Sequence, residues 1–141
     1  MEKINIYSKS ESELGRLLSN FAHTPFVSPK GDTFESVEGW WYWYVTGKKH
    51  HILKTLWGFR AKEVGKTYER INTVTPDILK QVYLLKLQYN PKLKEMLLSY
   101  DGEFDHYYMY GSKKVVPDST VWTAKLWEQI RDELNKNTAY N

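Results

Sequence analysis

Glu38 stands where a carboxylate could do acid–base work. It follows the capping-type Ser36 and precedes Trp40, Trp41, Tyr42, Trp43 and Tyr44, so aromatic bulk flanks it along the chain. Rings that strip water from a carboxyl oppose its ionisation and raise its pKa, which suits proton transfer near neutrality. A structural reading competes with this one. An acid in the first turn of a helix contributes about 0.3–1 kcal/mol through the helix dipole without any catalytic role. Other chemistry finds less support. Walker, G-x-G-x-x-G, H-E-x-x-H and Gly-x-Ser-x-Gly patterns are all absent. The absence of cysteine removes disulfide and thiolate chemistry. His23, His50, His51 and His106 lack zinc-ligand spacing, and adjacent His50 and His51 would diverge on a helix, so no metal site is expected.

Charge adds a second clue. Across 141 residues the formal charge is only +3, but Lys48 to Arg70 holds seven basic residues against two acids, a net of +5. A local basic segment in a near-neutral chain suits an anionic ligand such as a phosphate, and suits broad DNA binding less well. Its plainer counterpart is a solvated basic face. Aromatic residues make up 16% of the chain, a composition that folds rather than stays disordered. Length predicts one domain spanning residues 1–141. Met1 to Tyr7 alternates charged and apolar residues without the apolar run of a signal peptide, and no stretch is long enough to span a bilayer. A soluble, cytoplasmic protein is the expectation.

The elements that must position Glu38 follow from local signals. Ile4 to Tyr7 alternates like a half-buried strand, and Phe26-Val27 and Thr33-Phe34 flank a Pro29-Lys30-Gly31-Asp32 turn, predicting a hairpin. Ser36 should cap an aromatic helix that Gly47 ends. Helices are then predicted over roughly Lys49–Trp57 and Arg60–Tyr68. Thr75-Pro76-Asp77 supplies a cap, a first-turn proline and a first-turn acid for a helix facing inward through Ile78, Leu79, Val82 and Leu85. Asn90-Pro91 opens the next, with Leu93, Met96, Leu97 and Tyr100 at helical spacing. Phe104 to Tyr110 reads as a strand or extended loop, and Asp118-Ser119 should cap a last helix carrying Trp122, Leu126, Ile130 and Leu134. The class is α+β, predominantly α-helical with a small β-sheet.

The order of short motifs is more informative than any one of them. Tyr7-Ser8, Leu18-Ser19-Asn20-Phe21, Pro25-Phe26 and Thr33-Phe34-Glu35-Ser36-Val37-Glu38 together resemble the opening of the NADAR, or YbiA-like, family. The resemblance continues through Gly58-Phe59-Arg60-Ala61-Lys62-Glu63-Val64-Gly65-Lys66, Lys86-Leu87-Gln88-Tyr89-Asn90 and Leu97-Leu98. It ends with Asp105-His106-Tyr107, Tyr110-Gly111 and Arg131, so it covers nearly the whole chain. It implies a YbiA-like fold and N-glycosidic chemistry on ADP-ribosylated or phosphoribosylated substrates, including ADP-ribosylated guanine in DNA or RNA, with no cofactor. Such a reaction breaks a C1′–N bond through an oxocarbenium-like transition state, which a carboxylate can stabilise while a second group assists the leaving nitrogen.

Carried over by position, the resemblance makes Glu38 the catalytic carboxylate and Asp105 the second acid. Lys62 becomes either a Schiff-base amine, which must be neutral to react, or a phosphate contact. Asn20 is placed on a ribose hydroxyl, Arg60 and Lys66 on a pyrophosphate, and Trp41 or Tyr108 against a base. Bland readings accompany these: a surface acid for Asp105 and a turn cap for Asn20. The chain departs from the family where Gly39, Tyr42 and Val45 replace residues often found as His, Gln and Lys, and in the segment Val115 to Ala124. A divergent member follows, with a non-catalytic module binding ADP-ribose or an NAD-related nucleotide as the alternative. Nucleic-acid binding through basic and aromatic residues is a third possibility.

Overall fold

The structure, a computed structural model, describes residues 2–139, the last two by their backbone alone. In chain order the elements are β1 (Ile4–Asn5), α1 (Glu13–Leu18), β2 (Phe26–Val27), β3 (Thr33–Phe34), α2 (Val37–Val45), a 3₁₀ turn (His51–Thr55), α3 (Gly58–Gly65), α4 (Pro76–Tyr89), α5 (Pro91–Ser99), β4 (Phe104–Asp105), β5 (Tyr108–Tyr110), β6 (Lys113–Val115) and α6 (Trp122–Ala139). The class is α+β. Among the described residues the strands form three separate two-stranded ladders. Chain contacts gather these elements into two compact units, Asn20–Pro91 and the paired segments Met1–Ser19 with Lys92–Asn141. No described helix is long and apolar enough to cross a membrane.

In Asn20–Pro91 the expected hairpin forms, antiparallel, with Phe26 opposite Phe34. Gly31 takes φ +91°, the left-handed conformation that its turn requires. Lys54 clamps this turn, its Nζ lying 2.7 Å from Asp32 Oδ1. α2 starts as predicted: the Ser36 hydroxyl accepts the Gly39 N–H at 3.0 Å and donates to the Leu56 carbonyl at 2.9 Å. The helix predicted over Lys49–Trp57 is instead the shorter 3₁₀ turn. Gly47 and Lys48 both hold positive φ, so the chain reverses sharply after α2 and runs back beside it. Leu53 is then fully buried, and its carbonyl lies so close to Gly39 that a Cβ there would collide with it.

α3 begins and ends earlier than predicted. Its first residue, Gly58, donates its N–H to the Phe21 carbonyl at 2.9 Å, which fixes the start. Gly65, near its end, packs directly on the Tyr42 ring, where a Cβ would overlap ring atoms. α4 keeps its predicted start, with Thr75 Oγ1 accepting the Ile78 N–H at 3.4 Å. Its inner face is Leu79, Val82, Tyr83, Lys86 and Leu87. The lysine on that face is an exception to hydrophobic patterning.

In the other unit β1 pairs parallel with β4, placing Ile4 opposite Phe104 and Asn5 opposite Asp105. Asn5 reinforces the ladder by accepting the Tyr107 N–H at 2.9 Å and donating to the Tyr107 carbonyl at 3.0 Å. α6 locks the same region: Glu128 accepts the Phe104 N–H at 2.9 Å, and buried Arg131 donates to the Tyr100 carbonyl at 3.1 Å and to the Gly102 carbonyl. Arg131 therefore has a structural assignment. Two elements escaped prediction. α1 is short and capped by Ser12, and β6 is an exposed, lysine-bearing strand paired with β5 across a Gly111-Ser112 turn. The last helix starts after, not at, the predicted Asp118-Ser119 cap. Those residues lie in a turn in which the Thr120 and Val121 N–H groups bond back to the Pro117 carbonyl.

Candidate functional site

Glu38 sits in the first turn of α2, its own N–H bonded to the Asn20 carbonyl at 2.9 Å. The residue keeps partial solvent access, yet its carboxyl is desolvated by the protein around it. Burial pushes its pKa up to about 7, against the opposing pull of the Lys62 ammonium and then of the Arg70 guanidinium. The carboxyl is therefore poised near neutrality. It is not the fully solvated acid of a simple helix-dipole role.

Each neighbour reaches Glu38 by a different route. Tyr42 lies one helical turn along α2, on the same face. Burial, then the charge of Glu38, raises the pKa of its phenol. Lys62 comes from α3, whose approach depends on Gly65 lying against Tyr42. Arg70 is set by the segment after α3: Ile71 and Asn72 donate their N–H groups to the Val45 carbonyl at 2.7 and 3.0 Å. Those bonds satisfy a carbonyl at the C-terminal end of α2 that the helix itself leaves open. They bring the Arg70 guanidinium over the Tyr42 ring, 5.4 Å from its centroid, where Nη2 donates to the Tyr42 hydroxyl at 3.5 Å.

Asn20 belongs to this cluster by its backbone. Its side chain accepts the buried Tyr83 hydroxyl at 2.7 Å, so that oxygen is engaged within the protein. Trp41, three residues from Glu38 on α2, is half-buried on the adjoining flank. Arg60 lies exposed on α3, where it approaches Glu63 at 3.7 Å, and Lys66 lies exposed at the cap just past the helix end. Several other cations of the basic segment have structural partners. Lys54 holds Asp32, and Lys48 lies 5.3 Å from the Tyr44 ring centroid.

Asp105 and Tyr108 belong to the other unit. Asp105 is half-buried in β4, and its carbonyl accepts the Ile6 N–H at 2.8 Å. Tyr108 tilts against Tyr7, with ring centroids 5.5 Å apart. His106 between them donates from Nδ1 to the Ile6 carbonyl at 2.7 Å, with Nε2 3.1 Å from Thr120 Oγ1. Burial lowers its pKa, and a neutral ring satisfies both bonds.

Two members of the Glu38 cluster were not singled out from sequence as site residues. The i, i+4 spacing from Glu38 could have flagged Tyr42. Arg70 carried no local signal beyond its place in the basic segment. Elsewhere in the same unit a cavity of about 460 Å³ is lined by Phe26, Trp40, Ile78, Val82, Leu85 and neighbours. None of its lining residues is ionisable, so it offers no acid or base. A scan against protein-family models and searches of curated proteins and of solved structures returned no match.

Proposed function

We propose that this chain is an N-glycosidase that hydrolyses the C1′–N bond of an ADP-ribosylated or phosphoribosylated nucleotide-type substrate. The observation that carries the reading is Glu38, a carboxyl pushed up to about 7 and flanked by Lys62, Arg70 and Tyr42. The ordered resemblance to the NADAR family adds the substrate class and a YbiA-like fold as expectations.

At pH 7 such a carboxyl is populated in both states. Its protonated form can hand a proton to the departing ring nitrogen. Its ionised form can stabilise positive charge developing at C1′, or take a proton from the attacking water. Lys62 and Arg70, the two cations whose charge acts on Glu38, supply what a phosphate on the substrate needs.

The test is incubation of purified protein with ADP-ribosylated guanosine in DNA, with NAD and with phosphoribosyl pyrimidines. Release of the free base or ribosyl product, lost in Glu38→Gln, is the expected result. No release from any of them, or full activity in Glu38→Gln, would overturn the proposal.

The second reading is a module that binds ADP-ribose or a related nucleotide without cleaving it. Gly39 and Tyr42 favour it. No side chain fits at position 39 against the Leu53 carbonyl, and Tyr42 is committed to packing on Gly65 and Arg70. Neither place is open to the polar residues common in the family. Calorimetry separates the two, since micromolar binding without turnover supports the module.

A further inference from the structure

Phe59 is the most exposed of the large hydrophobic side chains in Asn20–Pro91, at 65% of its surface. It does not hold α3 in place. That helix is seated through Ala61, which is fully buried, and Gly65. Phe59 precedes Lys62 by three residues, so the two share one stripe of the helix, and Lys66, the right-handed cap residue after Gly65, continues its line. Long helical side chains lean toward the N-terminus, which carries the Lys62 stem toward Phe59 and away from the helix end.

The same Lys62 acts electrostatically on Glu38. An open aromatic face therefore borders the cation that faces the carboxyl. The surrounding charge says what would cover that face. Arg60 and Lys62 on α3 and Lys66 at its C-terminal cap stand against the single acid Glu63, so an anionic partner is favoured over an apolar one. Trp57, the other exposed ring nearby, is already stacked on His23 with centroids 4.1 Å apart.

We infer that Phe59 is a specificity-determining residue, the platform on which the planar base of a phosphate-bearing nucleotide stacks while its phosphates meet the cations of α3. The inference rests on the nucleotide-type substrate proposed above and reassigns the stacking role from Trp41 and Tyr108 to Phe59. It explains how a site with a single poised carboxyl could tell a nucleotide from a bare sugar phosphate.

Calorimetry on the full chain, with ADP-ribose and ribose 5-phosphate as probes, tests this. Base stacking on an aromatic side chain predicts that Phe59→Ala weakens ADP-ribose binding about tenfold, with ribose 5-phosphate binding unchanged. Phe59→Trp should restore ADP-ribose affinity, and all variants should melt with the wild type because the side chain is exposed. Equal ADP-ribose affinity in wild type and Phe59→Ala overturns the inference, as does equal loss for both probes or no ADP-ribose binding by the wild type. Turnover is read separately. Phe59-dependent binding without release of any product would sink the glycosidase and leave the platform standing.

Discussion

Replacing Glu38 by Gln should stabilise the protein at neutral and alkaline pH. The folded state holds this carboxyl at about 7 instead of its ordinary 4.5, chiefly because burial opposes its charge. A group whose folded pKa is raised binds its proton more tightly when folded. Its favourable contribution is therefore full below pH 4.5 and is lost between pH 4.5 and about 7, where the unfolded chain has already released the proton. Above that window the ionised carboxylate costs about 3 kcal/mol. Glutamine has nearly the same shape and no charge to desolvate. Against that gain stand the lost helix-dipole contribution of about 0.3–1 kcal/mol and the residual solvent access of the site. We therefore expect Glu38→Gln to be about 2 kcal/mol more stable than wild type at pH 8 and about equal to it at pH 4. Urea denaturation across that range reads the difference, a shift of about 1 M in midpoint at pH 8. Comparing the two proteins at each pH cancels groups that titrate alike in both. A variant less stable than wild type at pH 8, or a difference that does not change between pH 4 and 8, would return Glu38 to an ordinary solvated helix-terminal acid.

Further tests address its surroundings. Lys62→Met removes the larger of the two charges that hold the Glu38 pKa down, so carbon-detected NMR should find that carboxyl titrating above 7; an unchanged or lower value would separate Lys62 from the site. Gly65→Ala forces a methyl into the Tyr42 ring and should cost about 1–3 kcal/mol in urea denaturation, with wild-type stability refuting the close approach of α3 to α2. Lys86 is fully buried, and burial brings its pKa down to about 7. Because the folded state disfavours its cation, stability should fall as pH drops from 10.5 through about 7, and Lys86→Met should gain about 2 kcal/mol or more at pH 6. A loss there would mean that the buried ammonium is fully compensated by its partners.

Lys86 also marks a limit of reading by pattern. Its neighbours Leu79, Val82, Tyr83 and Leu87 share its inward face, but a lysine in a helix otherwise signals solvent. Nothing local announces that this one is enclosed. α1 leaves little local signal, because its six residues offer one cap and three leucines, two of them adjacent, too little periodicity to separate it from the polar stretch before it. The segment Lys49–Trp57 carries no local signal that separates a 3₁₀ turn from a full helix, and the choice between them lies in the positive-φ reversal at Gly47 and Lys48.

The features legible in the sequence alone are those whose causes lie within a few residues. The β2–β3 turn, the Ser36 cap, the Thr75-Pro76 helix start and the placing of Glu38 at a helix N-terminus among rings all belong to that class, because capping and turn bonds close over two to four positions. The tertiary structure alone decided that β1 pairs in parallel with β4, since those strands are joined by about a hundred residues that leave no register signal. It alone decided the electrostatic state of Glu38. That state depends on how closely Gly65 lets α3 approach, on where the Val45 carbonyl anchors the chain carrying Arg70, and on how much water the packing leaves. A pKa follows the dielectric and charges in three dimensions, and these are set by segments up to thirty-two residues away along the chain.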